Sequence, residues 1–139
     1  MQELMNVIAL WLSVTLGLPE AAELPEVRYA APRQMAAIRY GQPGVGMDDI
    51  VAIYSEPTQT IYLRHDWNSR NIADISVLVH ELVHHLQNKP GTVYSCPQER
   101  EALAYEAQER WLQLFGSDLE SSFGIDAFSL KVLTHCVPH

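Results

Sequence analysis

Two histidines four residues apart, His80 and His84, with Glu81 beside the first, are the residues of this chain best suited to chemistry. On a helix, residues four apart stand one above the other on one face. Two neutral imidazoles so placed can grip one Zn²⁺ ion, and the adjacent carboxylate can reach a water on that ion and take its proton. The surrounding pattern supports a helix with two distinct faces. With His80 as zero and 100° per residue, His84, Val77, Asn88, Glu81 and Gln87 fall within about 100°. Leu78, Leu82, Ile75, Leu86, Val79 and Val83 form a continuous stripe that runs from the far side round one flank. One face is built to dock into a core, and the opposite face carries the histidines and Glu81.

A hydrolytic zinc site needs three protein ligands and one position for water. The next helical segment, Gln98–Phe115, holds four acids, Glu99, Glu101, Glu106 and Glu109. With Glu101 as zero, Tyr105, Gln108 and Leu112 lie within about 40°, flanked by Ala104, Trp111 and Phe115 within about 80°. Glu99, Glu106 and Glu109 fall on the other side of the stripe, about 80–160° round from Glu101. An acid set in an apolar stripe must be paired, protonated or bound to metal. Glu101 is therefore the expected third ligand. The alternatives are a structural pair with Arg64 or Arg70, or another of these acids as the ligand.

The elements that must position these residues follow in order. Met1–Leu16 reads as an amphipathic helix closed by Gly17 and Pro19. Its apolar part lacks a preceding Lys or Arg and a small-residue cleavage site, so it is expected to be a helix of the mature domain. Pro19–Glu26 is a connector, Val27–Ala30 a short strand, and Arg33–Tyr40 a short helix ended by Gly41. Gln42–Met47 is a loop. Asp49–Ser55 and Thr60–Leu63 are rich in β-branched and aromatic residues around Glu56–Gln59, and predict an antiparallel hairpin. The helix with the histidines spans Ile72–Asn88, with Asn71 or Asp74 able to cap it. Ser117–Gly124 is a turn or short helix, and Ile125–His135 a final helix. Trp67 and Trp111 belong to the core. His65 and Asp66 lie in a solvated loop, and His135 and His139 are incidental.

The net charge of −8 argues against nucleic acid and anionic membrane surfaces. No stretch is long and apolar enough to span a bilayer. A disulfide between Cys96 and Cys136 is expected, with free buried thiols as the alternative, and it suggests a periplasmic or secreted location without excluding the cytoplasm.

His80-Glu-Leu-Val-His84 followed by Glu101-Ala-Leu-Ala-Tyr105 resembles the gluzincin side of the zincin metallopeptidases, which join H-E-x-x-H to a downstream glutamate. The stretch Ile50–Phe115 also looks like a family of small bacterial proteins of unassigned function, the DUF6647-like family. The resemblance implies an α+β fold of one domain, 1–139, of minimal zincin-like form. A small antiparallel sheet would pack on the H-E-x-x-H helix and a following glutamate helix, with flanking N- and C-terminal helices. It implies Zn²⁺ as cofactor, His80, His84 and Glu101 as ligands, and a peptide or protein substrate. The chain lacks the long second subdomain of large gluzincins. Many of those also carry an acid four residues beyond the ligand glutamate; here that place is Tyr105, which leaves the partner of His80 open.

The expected function is that of a zinc metallopeptidase or related hydrolase. Glu81 would accept the proton of water attacking a peptide or amide carbonyl and pass it to the leaving nitrogen. Tyr94, Tyr105, Tyr62 and His85 are candidate donors to the oxyanion. Thr60–Leu63 is expected to be the edge strand on which an extended peptide pairs. A non-catalytic domain stapled by zinc is the alternative. A carboxylate-bridged di-iron site would need a second E-x-x-H motif, and the chain has none.

Overall fold

The structure is a computed structural model that describes residues 1–41, 50–88 and 93–136. Its architecture is α+β. The elements are helix α1 (Gln2–Leu16), strand β1 (Glu26–Ala30), α2 (Pro32–Tyr40), β2 (Ala52–Ser55), β3 (Thr60–Arg64), α3 (Ile72–Gln87), α4 (Pro97–Leu114), α5 (Leu119–Phe123) and α6 (Ala127–Thr134). The expected loop Gln42–Met47 lies outside the described residues. None of the described helices is long and apolar enough to cross a membrane.

The sheet has three strands in the order β1-β3-β2. β2 and β3 form the expected antiparallel hairpin, with Ile53 opposite Tyr62. β1, however, pairs parallel to β3, with Val27 opposite Ile61. The sheet is therefore mixed, not antiparallel, and Thr60–Leu63 is its centre, not its edge. Burial explains the order. Thr60, Ile61 and Leu63 are all buried, whereas Glu26, Arg28 and Tyr29 of β1 are exposed. A strand that is apolar on successive positions belongs between two others, and a charged one belongs at the rim.

α3 runs through the middle of the core. Leu78, Val79, Leu82 and Val83 are fully buried, with Leu86 close behind. They meet Met5, Ile8 and Leu12 of α1, Ile61 and Leu63 of β3, and Ala104, Ala107 and Trp111 of α4. The two alanines let α4 approach α3 closely, and this closeness allows polar side chains on the two helices to meet. Trp11 packs edge-on against Trp111 at 5.2 Å between ring centroids.

The start of α3 is fixed from two directions. The Asn71 side chain caps it by accepting the backbone N–H of Asp74. Asp74 turns outward and accepts the N–H of Asn68, while its carbonyl takes the indole N–H of Trp67. A disulfide joins Cys96, which precedes the first turn of α4, to Cys136 beyond α6, with Cα atoms 5.7 Å apart. It ties the C-terminal segment to the base of the glutamate helix.

Candidate metal centre

α3 presents His80 and His84 side by side, with ring centroids 5.1 Å apart, and α4 lays Glu101 across both. His80 Nε2 lies 2.7 Å from Glu101 Oε2, and His84 Nε2 lies 3.0 Å from Oε1 of the same carboxylate. One donor atom from each residue falls within 4.8 Å of the others. Ligand atoms about 2.0–2.1 Å from a tetrahedral ion are about 3.3 Å from one another, and the two histidine–carboxylate separations lie near that spacing. The remaining acids of α4 are accounted for elsewhere. Glu99 accepts the Ser95 N–H, Glu106 pairs with Arg110, and Glu109 holds Gln113 and the N–H of Leu119. Arg64 pairs with Asp66, and Glu101 faces the histidines instead.

Each imidazole is aimed by a glutamine. The Gln108 amide donates to Ser76 Oγ, whose own proton goes to the Ala73 carbonyl. Gln108 Oε1 must then accept from His80 Nδ1–H, at 2.9 Å. Likewise the Gln87 amide donates to the Arg100 carbonyl, and its oxygen accepts from His84 Nδ1–H. With both Nδ1 protons engaged, both Nε2 atoms point at one spot, the arrangement that orients histidines toward a metal. These glutamines were not singled out by sequence. Gln108 gave a signal, being an amide in the apolar stripe beside Glu101, and it takes the role left open at Tyr105.

The charges are consistent with a coupled site. Burial works against the His80 imidazolium, but the Glu101 hydrogen bond and the charges of Glu81 and Glu101 outweigh it and raise its pKa. Burial likewise opposes the Glu101 carboxylate, yet hydrogen bonds from His80 and His84 hold its pKa well below the ordinary range. Tyr105 stacks edge-on against His80 at 4.6 Å between centroids. Burial and the nearby Glu101 and Glu81 carboxylates push its phenol above the usual value.

Two hollows open on either side of Glu81. One, of about 240 Å³, lies on the His80 side among Val51, Val77, Tyr105, Phe123 and Ile125. The other, of about 320 Å³, lies on the His84 side among Tyr54, Pro97, Arg100 and Glu101. Glu81 and Arg39 line both. The Glu81 carboxylate has no hydrogen-bond or ion-pair partner among the described residues. Arg100 is engaged: it pairs with Glu56 and donates to the His84 carbonyl.

The other sequence candidates separate clearly. Tyr62 packs in a second apolar cluster with Ala30, Met35, Ile50 and Ile53. Tyr94 lines neither hollow. His85 is buried and takes no part in the His80-His84-Glu101 cluster; its Nε2–H donates to the Glu23 carbonyl and its Nδ1 accepts from the Tyr54 hydroxyl, each at 2.8 Å. His65 and Asp66 are exposed in the turn after β3, and His139 lies outside the described residues.

A family model described as "Domain of unknown function (DUF6647)" matches residues 1–138. No curated protein and no solved structure matches the chain. The chain thus belongs to the DUF6647 family, and within it the conjunction of α3 and α4 forms a His80-His84-Glu101 cluster able to hold a metal ion.

Proposed function

We propose that this chain is a zinc-dependent hydrolase of peptide or amide bonds. The observation that carries the proposal is Glu81, an uncommitted carboxylate next to two histidine ligands and in the wall of both hollows. A site that only staples helices has no use for such a group. The donor set, two imidazoles with their far nitrogens engaged and one carboxylate, suits Zn²⁺. When bound, the ion supplies Lewis acidity that acidifies water and polarises a carbonyl.

The residues of the chain do the rest. Glu81 takes the proton of the attacking water and hands it to the leaving nitrogen. Tyr105, its phenol kept protonated by burial, donates to the oxygen that gains charge. β2 is the edge strand on the α3 side: Val51 and Ala52 border one hollow and Tyr54 the other. It replaces Thr60–Leu63 as the strand on which an extended peptide would pair. The disulfide supports a periplasmic or secreted setting.

A zinc staple is the second reading, favoured by the way the ligands bridge α3 and α4. The two separate on zinc content and cleavage of a mixed peptide library by wild type, Glu81→Gln and His84→Ala. The hydrolase reading expects Glu81→Gln to keep one zinc and lose about 10²-fold or more in rate, and His84→Ala to lose the zinc. Zinc-loaded wild type that cleaves no peptide, or undiminished cleavage by Glu81→Gln, would leave the staple.

A further inference from the structure

We propose that Arg39 forms an anion subsite beside Glu81, so that the substrate of this centre carries a carboxylate close to the bond that is cut. The inference rests on the hydrolase reading and names its substrate class. Arg39 and Glu81 are the two residues common to both hollows. Their side chains nevertheless form no ion pair, and Arg39 has no hydrogen-bond partner among the described residues. The other cation of the site, Arg100, is held by Glu56 and the His84 carbonyl. Arg39 is thus the guanidinium there with its donors uncommitted.

Charge balance gives that cation a purpose. The carboxylates of Glu81 and Glu101 neutralise a divalent ion between them, and Arg39 then leaves the centre with one positive charge. In a chain of net charge −8, an anionic group finds little else to attract it. The hollow on the His80 side is walled by Ile50, Val51, Val77, Phe123 and Ile125, which suits a bulky apolar group. The preferred ligand therefore joins an apolar group to a carboxylate that Arg39 can grip with two parallel N–H donors. The bland alternative is that Arg39 only complements the C-terminal end of α2, where it is the basic residue of the last turn. That role would affect stability and leave ligand preference unchanged.

The test compares 2-benzylsuccinate, with one phenyl ring and two carboxylates, to 3-phenylpropionate, which has the ring and one carboxylate. Affinities for the zinc-loaded protein are read by titration calorimetry, with zinc content measured in parallel. Wild type should prefer benzylsuccinate by about tenfold or more. Arg39→Gln should abolish that preference while binding phenylpropionate within about twofold of wild type, and Arg39→Lys should retain part of it. Equal affinities in zinc-loaded wild type, or a preference that survives in Arg39→Gln, would overturn the subsite and leave the zinc reading standing. Failure of wild type to take up zinc would overturn both. The carboxylate can come from a side chain or a chain terminus. N-acetyl-phenylalanyl-glutamate α-amide carries only the first, and N-acetyl-phenylalanyl-glutamine only the second. The one whose affinity falls in Arg39→Gln identifies the source; if neither falls, the subsite is wrong.

Discussion

Gln108→Leu removes the oxygen that receives the Nδ1–H of His80 and keeps a side chain of similar size in a buried position. Two effects follow. The His80 ring loses the bond that sets its tautomer and aim, a change that typically weakens metal binding by about 10- to 100-fold, or about 1.4–2.7 kcal/mol. The buried Nδ1–H and the Ser76 hydroxyl also lose a partner, which costs the fold about 1–3 kcal/mol whether or not metal is present. The two are separable. Zinc affinity by chelator competition reads the first alone. Thermal melts with and without chelator read both, because saturating zinc stabilises the native state in proportion to the logarithm of its affinity. At roughly 3–4 °C per kcal/mol for a chain of this size, the zinc-induced rise in Tm should shrink by about 4–10 °C. Gln108→Glu should behave differently, since a carboxylate still accepts from Nδ1–H and the Ser76 hydroxyl can turn to donate to it. Zinc affinity of a folded Gln108→Leu within twofold of wild type would refute the aiming role. So would equal losses in Gln108→Leu and Gln108→Glu.

Other perturbations test the frame around the site. Cys96 and Cys136 are 40 residues apart, so Cys136→Ser should lower stability by about 4 kcal/mol if loop entropy dominates, read by urea denaturation with and without reductant. Tyr54→Phe removes the proton that His85 Nδ1 accepts and the oxygen that Asn88 donates to, and should cost about 1–2 kcal/mol in the same assay, with zinc affinity unchanged. Asp126 caps α6 by accepting the Ser129 N–H, and that bond holds its carboxyl below the ordinary range. Because the folded pKa is the lower one, its contribution is present above the ordinary carboxyl pKa and lost as pH falls through the folded value. Asp126→Asn keeps an acceptor at every pH. The stability difference between wild type and Asp126→Asn should therefore narrow or reverse as pH falls below the ordinary carboxyl pKa of about 3.9, and a constant difference would exclude the cap as its source.

The residues within one helix were legible because their arrangement is set by the helix repeat. His80 and His84 had to share a face, and Leu78, Val79, Leu82 and Val83 had to share the other. Glu101 was legible for the same reason, since only one acid of α4 stands in the buried stripe. His85 shows the limit. The sequence offers it as a candidate donor to the oxyanion, but the connector before β1 and the edge strand β2 close over it, and the Glu23 carbonyl and the Tyr54 hydroxyl consume both its nitrogens. No local pattern brings residues 23, 54 and 85 together. Arg39 was hidden likewise, because its importance comes from what faces it across the fold.

The strand order is the sharpest case, and it changes how the site is reached. A hairpin is a local event, so β2 and β3 could be read from alternation and the short link between them. The parallel pairing of β1 with β3 crosses α2 and β2, and no turn signature announces it. Yet burial alone held the clue, because Thr60–Leu63 is apolar or buried on both faces whereas β1 alternates charge. Moving Thr60–Leu63 to the centre leaves β2 as the rim beside α3. The two hollows, Glu81 and Arg39 then all lie along one border, between β2 and the histidine helix. An extended chain laid on that border would pass its backbone along β2 and meet Glu81 midway, with the hollow of Val51, Phe123 and Ile125 on one side, Arg100 on the other and Arg39 lining both. An Ala52→Pro substitution, which removes a backbone donor that faces away from β3 at that rim, should therefore impair peptide capture more than zinc uptake. Equal loss of both would show that the rim serves only to hold α3.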